Sequence, residues 1–163
     1  LKNFNVFANT HNWVGVAESI TIPKISKKSD DYRGAGMIGD VALAMGYEKL
    51  EGEVVYAGFD VKQYRQLGVC GTSDLPVRFV GMYQRQDNCT SQIVEIYTRG
   101  QAIELDPGDS KNGEKTEIKM SYNYTYYRME VDGVVQVELD FINGIERFGN
   151  TDVAQAIREL LGL

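Results

Sequence analysis

The chain has 163 residues and is 43% hydrophobic, enough for one packed domain and too apolar for a disordered segment. Its net charge of −6 argues against a conventional nucleic-acid binder, which carries a basic stripe. No apolar run approaches the roughly 20 residues a membrane helix needs, so no membrane anchor is expected.

Ten tyrosines and six phenylalanines favour strands, and period-2 alternation dominates. Val14, Val16, Glu18, Ile20 and Ile22 line one strand face, which stops at Pro23. A charged segment with almost nothing to bury follows from Lys24. It ends in Tyr32-Arg33-Gly34-Ala35-Gly36-Met37, whose glycines hold the backbone open for close approach. Residues 24–37 therefore read as an arm that reaches a neighbouring subunit. Val41–Met45 and Val54–Gly58 are strands, and the turn between them contains Gly46 and ends near Gly52.

Asp60 opens a short helix with capping-box spacing to Gln63. Val61, Tyr64 and Leu67 share its apolar face and Gly68 stops it. Val77–Arg85 and Ile93–Arg99 form an antiparallel pair around a Gln86-Asp87-Asn88 turn. Asp106-Pro107-Gly108-Asp109 is a turn, followed by a polar loop over 110–115.

Thr116–Val131 is too long for the domain. At about 3.4 Å per residue it spans roughly 54 Å, against about 40 Å for the domain. Ile118, Met120, Tyr122, Tyr124 and Tyr126 share one face, and then Tyr127, Met129 and Val131 become the apolar set. A bulge near Tyr126-Tyr127 would swap the faces in this way. Asp132-Gly133 is a type I′ hairpin signal, and Asn143-Gly144 repeats it one strand later. Asn150, Thr151 or Asp152 caps a last helix with Val153, Ala156, Ile157, Leu160 and Leu161 in helical spacing, ended by Gly162. Residues 1–163 read as a single domain. The fold class is mainly β, a two-sheet sandwich or squashed barrel with one or two flanking α-helices.

Catalytic chemistry is hard to assemble. His11 is the lone histidine and has no triad or metal-site partners. Asp106 and Asp109 lack calcium-loop spacing. Gly34-Ala35-Gly36 lacks the strand-to-helix context and the Lys-Ser/Thr of a phosphate loop. Cys70 and Cys89 do not make a disulfide scaffold and are expected to be reduced. Trp13 fits a core or an interface equally well, and Glu48, Glu51 and Glu53 read as a solvated face. No catalytic residue, metal or cofactor is assigned, and no enzyme is expected.

The order of Val16-Ala17-Glu18-Ser19-Ile20-Thr21-Ile22-Pro23-Lys24, Tyr32–Met37, Arg99-Gly100, Asp106–Asp109, Tyr126–Gly133 and Leu161-Gly162-Leu163 resembles the major tail tube proteins of contractile-tailed phages. That family includes the tube subunits of R-type pyocins. The resemblance implies hexameric rings with a continuous inner β-barrel, stacked into a tube inside a contractile sheath. Baseplate and tail terminator proteins bound the tube, which is a virion part assembled in the host cytoplasm. It further implies that Lys24, Tyr32, Arg33, Gly34, Gly36 and Met37 make subunit contacts between rings. Ala35 stands where relatives often have glycine. Lumen strands would be among Val41–Met45, Glu53–Tyr56 and those near 77–99. An acidic bore suits DNA, which must slide without sticking. A type VI-like secretion tube and a small monomeric ligand-binding β-barrel are the alternatives.

Overall fold

The computed structural model describes residues 1–162; Leu163, the last residue of the closing motif, lies outside them. In chain order the elements are β1 (Asn3–Ala8), β2 (His11–Asn12), β3 (Ala17–Thr21), β4 (Lys27–Tyr32), β5 (Val41–Tyr47), β6 (Leu50–Ala57) and α1 (Val61–Gln66). Then come β7 (Leu75–Gln84), β8 (Ser91–Asp106), β9 (Glu117–Val131), β10 (Val134–Asp140), β11 (Ile145–Phe148), β12 (Thr151–Asp152) and α2 (Gln155–Leu161).

One antiparallel sheet holds ten strands in the order β12-β11-β10-β9-β8-β7-β1-β2, with β3 and β6 branching from β9. The long β9 makes the branch possible. Its first half pairs with β6 and its second half with β10, while β8 follows its other edge. The β3–β6 branch folds over β7 and β8, so that Ile20 and Ile22 meet Val77, Phe79 and Ile96. The two expected layers are thus arms of one continuous sheet. Between them lie Val6, Ala8, Leu50, Val54, Tyr56, Leu75, Phe79, Ile118 and Met120, all buried. Each large aliphatic side chain buried this way contributes about 1.5–3 kcal/mol. Trp13 belongs to this core: its ring lies 4.7 Å from that of Tyr56, and its indole N–H donates to the Ala8 carbonyl.

The face swap in β9 is real, but the bulge sits one residue earlier than its spacing suggests. Tyr126 pairs with Arg99 and Tyr124 with Gly100, which leaves Thr125 as the extra residue. Tyr126 and Tyr127 both pair regularly. Ile118, Met120, Tyr122 and Tyr124 are buried, and after the bulge Tyr127 takes over the core face while Tyr126 leaves it. The freed Thr125 carbonyl accepts the Phe141 N–H at 3.0 Å, so the bulge costs no backbone partner there.

Several other expectations need correction. The first strand face is shorter: Val14–Val16 form a turn, with the Val16 and Ala17 amides donating to the Trp13 carbonyl. Strands β1 and β2 were hidden by their asparagines, which blur alternation. Gly46 and Gly52 lie inside β5 and β6, and only Glu48 and Lys49 connect those strands. The Asp60–Gln63 capping box closes α1 as expected, yet its buried residues are Gln63 and Gln66, not Val61, Tyr64 and Leu67. The glutamines are drawn inward by partners: Gln63 donates to the Gly58 carbonyl, and Gln66 accepts from Tyr122.

Asp132 and Gly133, at φ of 50° and 81°, make the expected tight hairpin. Asn143 and Gly144 instead close a four-residue loop, because Asp140 pairs with Ile145 and its carboxylate accepts the Ile142 and Asn143 amides. Thr151 and Asp152 pair with β11, so neither caps α2; its N-cap is Ala154, with no side-chain bond. Gly162 ends α2 in the left-handed region, as expected.

Candidate assembly surface

Residues 24–37 are not a structureless arm. Lys27–Tyr32 forms β4, which pairs with β5 as a two-stranded sheet of its own, separate from the main one. The sequence shows no apolar alternation here, since β4 reads Lys-Lys-Ser-Asp-Asp-Tyr and buries none of it. In β5, Val41, Leu43 and Met45 recur at period 2, and Tyr32 stands opposite Val41 on the same face. All four are exposed, Met45 at 61%. A lone hairpin is marginal in water, and this one offers an apolar face to solvent.

The hairpin root is fixed. The Tyr47 hydroxyl donates to the Glu146 carboxylate on β11, and its ring stacks on Phe141 at 5.9 Å. Desolvation first, and then the acidic partner, push the Tyr47 phenol well above its ordinary pKa. The hairpin and the C-terminal elements therefore form one connected surface.

At the tip, the six-residue motif closes on itself. The Gly34 amide meets the Met37 sulfur at 3.0 Å, and the Met37 amide donates to the Gly34 carbonyl. A methyl group on Gly34 would touch the Tyr32 hydroxyl at 2.8 Å, and Gly36 sits at φ of 84°. The turn itself requires Gly36, whereas the obstacle at Gly34 is the exposed tip of the Tyr32 side chain, which can swing away. Arg33 is exposed. Lys24 lies apart, lining an open groove of about 720 Å³ with Lys49, Glu48, Glu51, Glu53 and Glu104. The acidic run is one wall of that groove.

Two further apolar patches are exposed. One is Phe59, Val61, Tyr64 and Leu67 around α1. The other is Ile142, Val153, Ile157, Leu160 and Leu161 around α2, a helix that buries no residue. Beneath α1 the chain is well anchored: Tyr56 and Tyr122 share a hydroxyl contact of 3.0 Å, and Tyr122 also donates to Gln66. Burial raises the pKa of both phenols.

The face of β7–β9 opposite the core carries Arg78, Arg99 and Arg128 against Glu95 and Glu130, with Met82 and Ile93 exposed at its end. Arg78 lies over Phe7 and Tyr97, Arg128 over Tyr97, and Arg99 over Tyr126. Arg78 pairs with Glu95 and Arg128 with Glu130, each at 3.3 Å. Among the described residues no three His, Cys, Asp or Glu side chains cluster as a metal site would require. His11, on β2, pairs with Ala8 of β1, and the Asp106 carboxylate accepts the Gly108 amide.

These surfaces have relatives. The family model for phage tail tube protein FII matches residues 1–162. The chain is 40% identical to the tail tube protein of Escherichia phage P2, over 100% of this chain and 96% of that one. It is 32% identical to the major tail tube protein of Serratia phage KSP20, over 100% and 95%. Among solved structures, the sheath/tube terminator of PVC, an extracellular contractile injection system in the extended state, shares the fold at a TM-score of 0.60. That match has 9% identity and covers 80% of this chain and 94% of that one. The chain belongs to the phage tail tube protein FII family.

Proposed function

We propose that copies of this chain close into hexameric rings whose sheets join into a continuous inner β-barrel, and that the rings stack into the tail tube. The observation that carries this is the β4–β5 hairpin. It stands outside the main sheet, anchored only at its root, with Tyr32, Val41, Leu43 and Met45 exposed. Such a face is a liability in a monomer and an asset between subunits. Sheet edges point the same way. The outer edge of β3 has no partner strand among the described residues, and ring closure removes edges. A head-to-tail axial contact does not close and so grows a filament.

In this reading the inter-ring contact belongs to the whole hairpin, with Tyr32, Arg33, Gly34, Gly36 and Met37 at its tip. Lys24 stands at its approach. The Arg–Glu face of β7–β9 suits a channel wall, since Glu95 and Glu130 hold Arg78 and Arg128 in ion pairs and leave a polyanion little free positive charge. The tube would conduct DNA in a phage, or perforate the bacterial envelope in a headless particle. A contractile sheath, a baseplate and a tail terminator are its partners. The chain is a structural, non-enzymatic virion component assembled in the host cytoplasm.

Electron microscopy of purified protein at high concentration tests the proposal. Rings or tubes are expected, and a persistent 18.3 kDa monomer would refute it. A monomeric ligand-binding barrel draws no support from the open, charged groove beside Lys24.

A further inference from the structure

Two apolar features stand exposed, one around α1 and one beside β10 and β11, and their shapes differ. Around α1 the surface is convex. Phe59 is 70% exposed, its ring leans on Tyr64 at 5.6 Å, and Val61 and Leu67 extend the patch. Beside β10 and β11, the hairpin root and the start of α2 border an open concavity of about 380 Å³. Tyr47, Leu139, Phe141, Ile145 and Ala154 line it. That volume accommodates one aromatic side chain and part of a second.

We propose that the aromatic knob on α1 of one copy seats in this concavity on the next copy, forming the lateral contact of the ring. The inference rests on the assembly reading above. A closed ring needs a heterologous contact, made of two different patches on each subunit. The chain presents two such patches, one convex and one concave. Their net charges are complementary: α1 carries Lys62 and Arg65, neither in an ion pair among the described residues, against the one acid Asp60, while Asp140 and Glu146 line the concavity and Glu159 lies on the adjoining α2, against Lys27 over the Tyr47 ring. Arg158, the one base on α2, is already held by Asp152.

Helix stability argues for cover on both sides. A helix of six or seven residues is unstable alone and relies on tertiary packing. Helix α2 has seven residues and none buried, and α1 buries only Gln63 and Gln66. A neighbour's knob against Ala154 and the start of α2 supplies the missing contact.

Photo-crosslinking in assembled protein reads the contact directly. Phe59→p-benzoylphenylalanine should crosslink to a second copy within residues 139–161, while the same probe at Val134, away from both patches, should not. Charge reversal gives a second readout. Arg65→Glu should slow ring formation at least tenfold, and adding Glu159→Lys should recover most of the rate. Circular dichroism of each variant verifies folding. Rings that form while the Phe59 probe crosslinks elsewhere would overturn this contact and leave the tube reading intact. A chain that never oligomerises would overturn both.

Discussion

Gly100 of β8 lies so close to Asn123 of β9 that a methyl group on it would sit 1.9 Å from the Asn123 carbonyl oxygen and 2.7 Å from the Tyr124 Cα. This approach occurs where β9 inserts Thr125 as an extra residue. The Arg99-Gly100 pair is therefore part of the device that lets one strand serve two arms of the sheet.

Gly100→Ala should be strongly destabilising, because the obstacle is backbone and cannot swing away. Overpacking of this kind costs about 1–3 kcal/mol. Urea denaturation of the purified monomer measures it. Unchanged stability would mean that the bulge relaxes freely.

Tyr122→Phe should cost about 1–3 kcal/mol, since it leaves the buried Tyr56 hydroxyl and Gln66 carbonyl short of a partner. The same phenols predict an alkaline limit. Their folded pKa values are raised, chiefly by burial. Their contribution is thus complete below the unfolded value of about 10 and lost as pH rises beyond it toward the folded values. Thermal melts between pH 8 and about 11 should show that loss, smaller in Tyr122→Phe.

At the acid end the sensitive group is Asp152. The Arg158 hydrogen bond is the main cause that holds its carboxyl below the ordinary carboxylate pKa. Its contribution is present above the unfolded value of about 3.9 and disappears as pH falls through the lower, folded one. Amide exchange of residues 155–161 should accelerate over that window before the core strands open. In Asp152→Asn the helix should already be frayed at neutral pH, with no further acid step.

Much of this was legible in the sequence. The long β9, its face swap, the Asp132-Gly133 turn and the α1 capping box all follow from local rules of period, turn chemistry and capping. What escaped was set by hydrogen-bonding and strand partners that period and residue type alone do not reveal. Spacing marks Val61, Tyr64 and Leu67 as the inner face of α1, but Tyr122 and Gly58 pull Gln63 and Gln66 inward instead. The β4 strand carries no apolar alternation because neither of its faces meets the core. Thr151 and Asp152 have capping chemistry, yet β11 claims them as a strand. In the tip motif Tyr32–Met37, Gly36 has a local reason, its positive φ, that the spacing alone does not reveal.

Met45→Asp separates assembly from folding. Met45 is exposed and touches no core residue, so monomer stability should change by no more than about 0.5 kcal/mol. Assembly should be lost, as judged by sedimentation velocity. Tubes of normal length from this variant would remove the hairpin from the axial contact.

If the tube reading holds, the β4–β5 hairpin is an unfinished surface that another copy completes. Hydrogen exchange of residues 27–47, compared between dilute monomer and pelleted assemblies, tests this most directly. Strong protection of β4 and β5 in the assemblies, against rapid exchange in the monomer, is the predicted result. Equal exchange in the two states would contradict it.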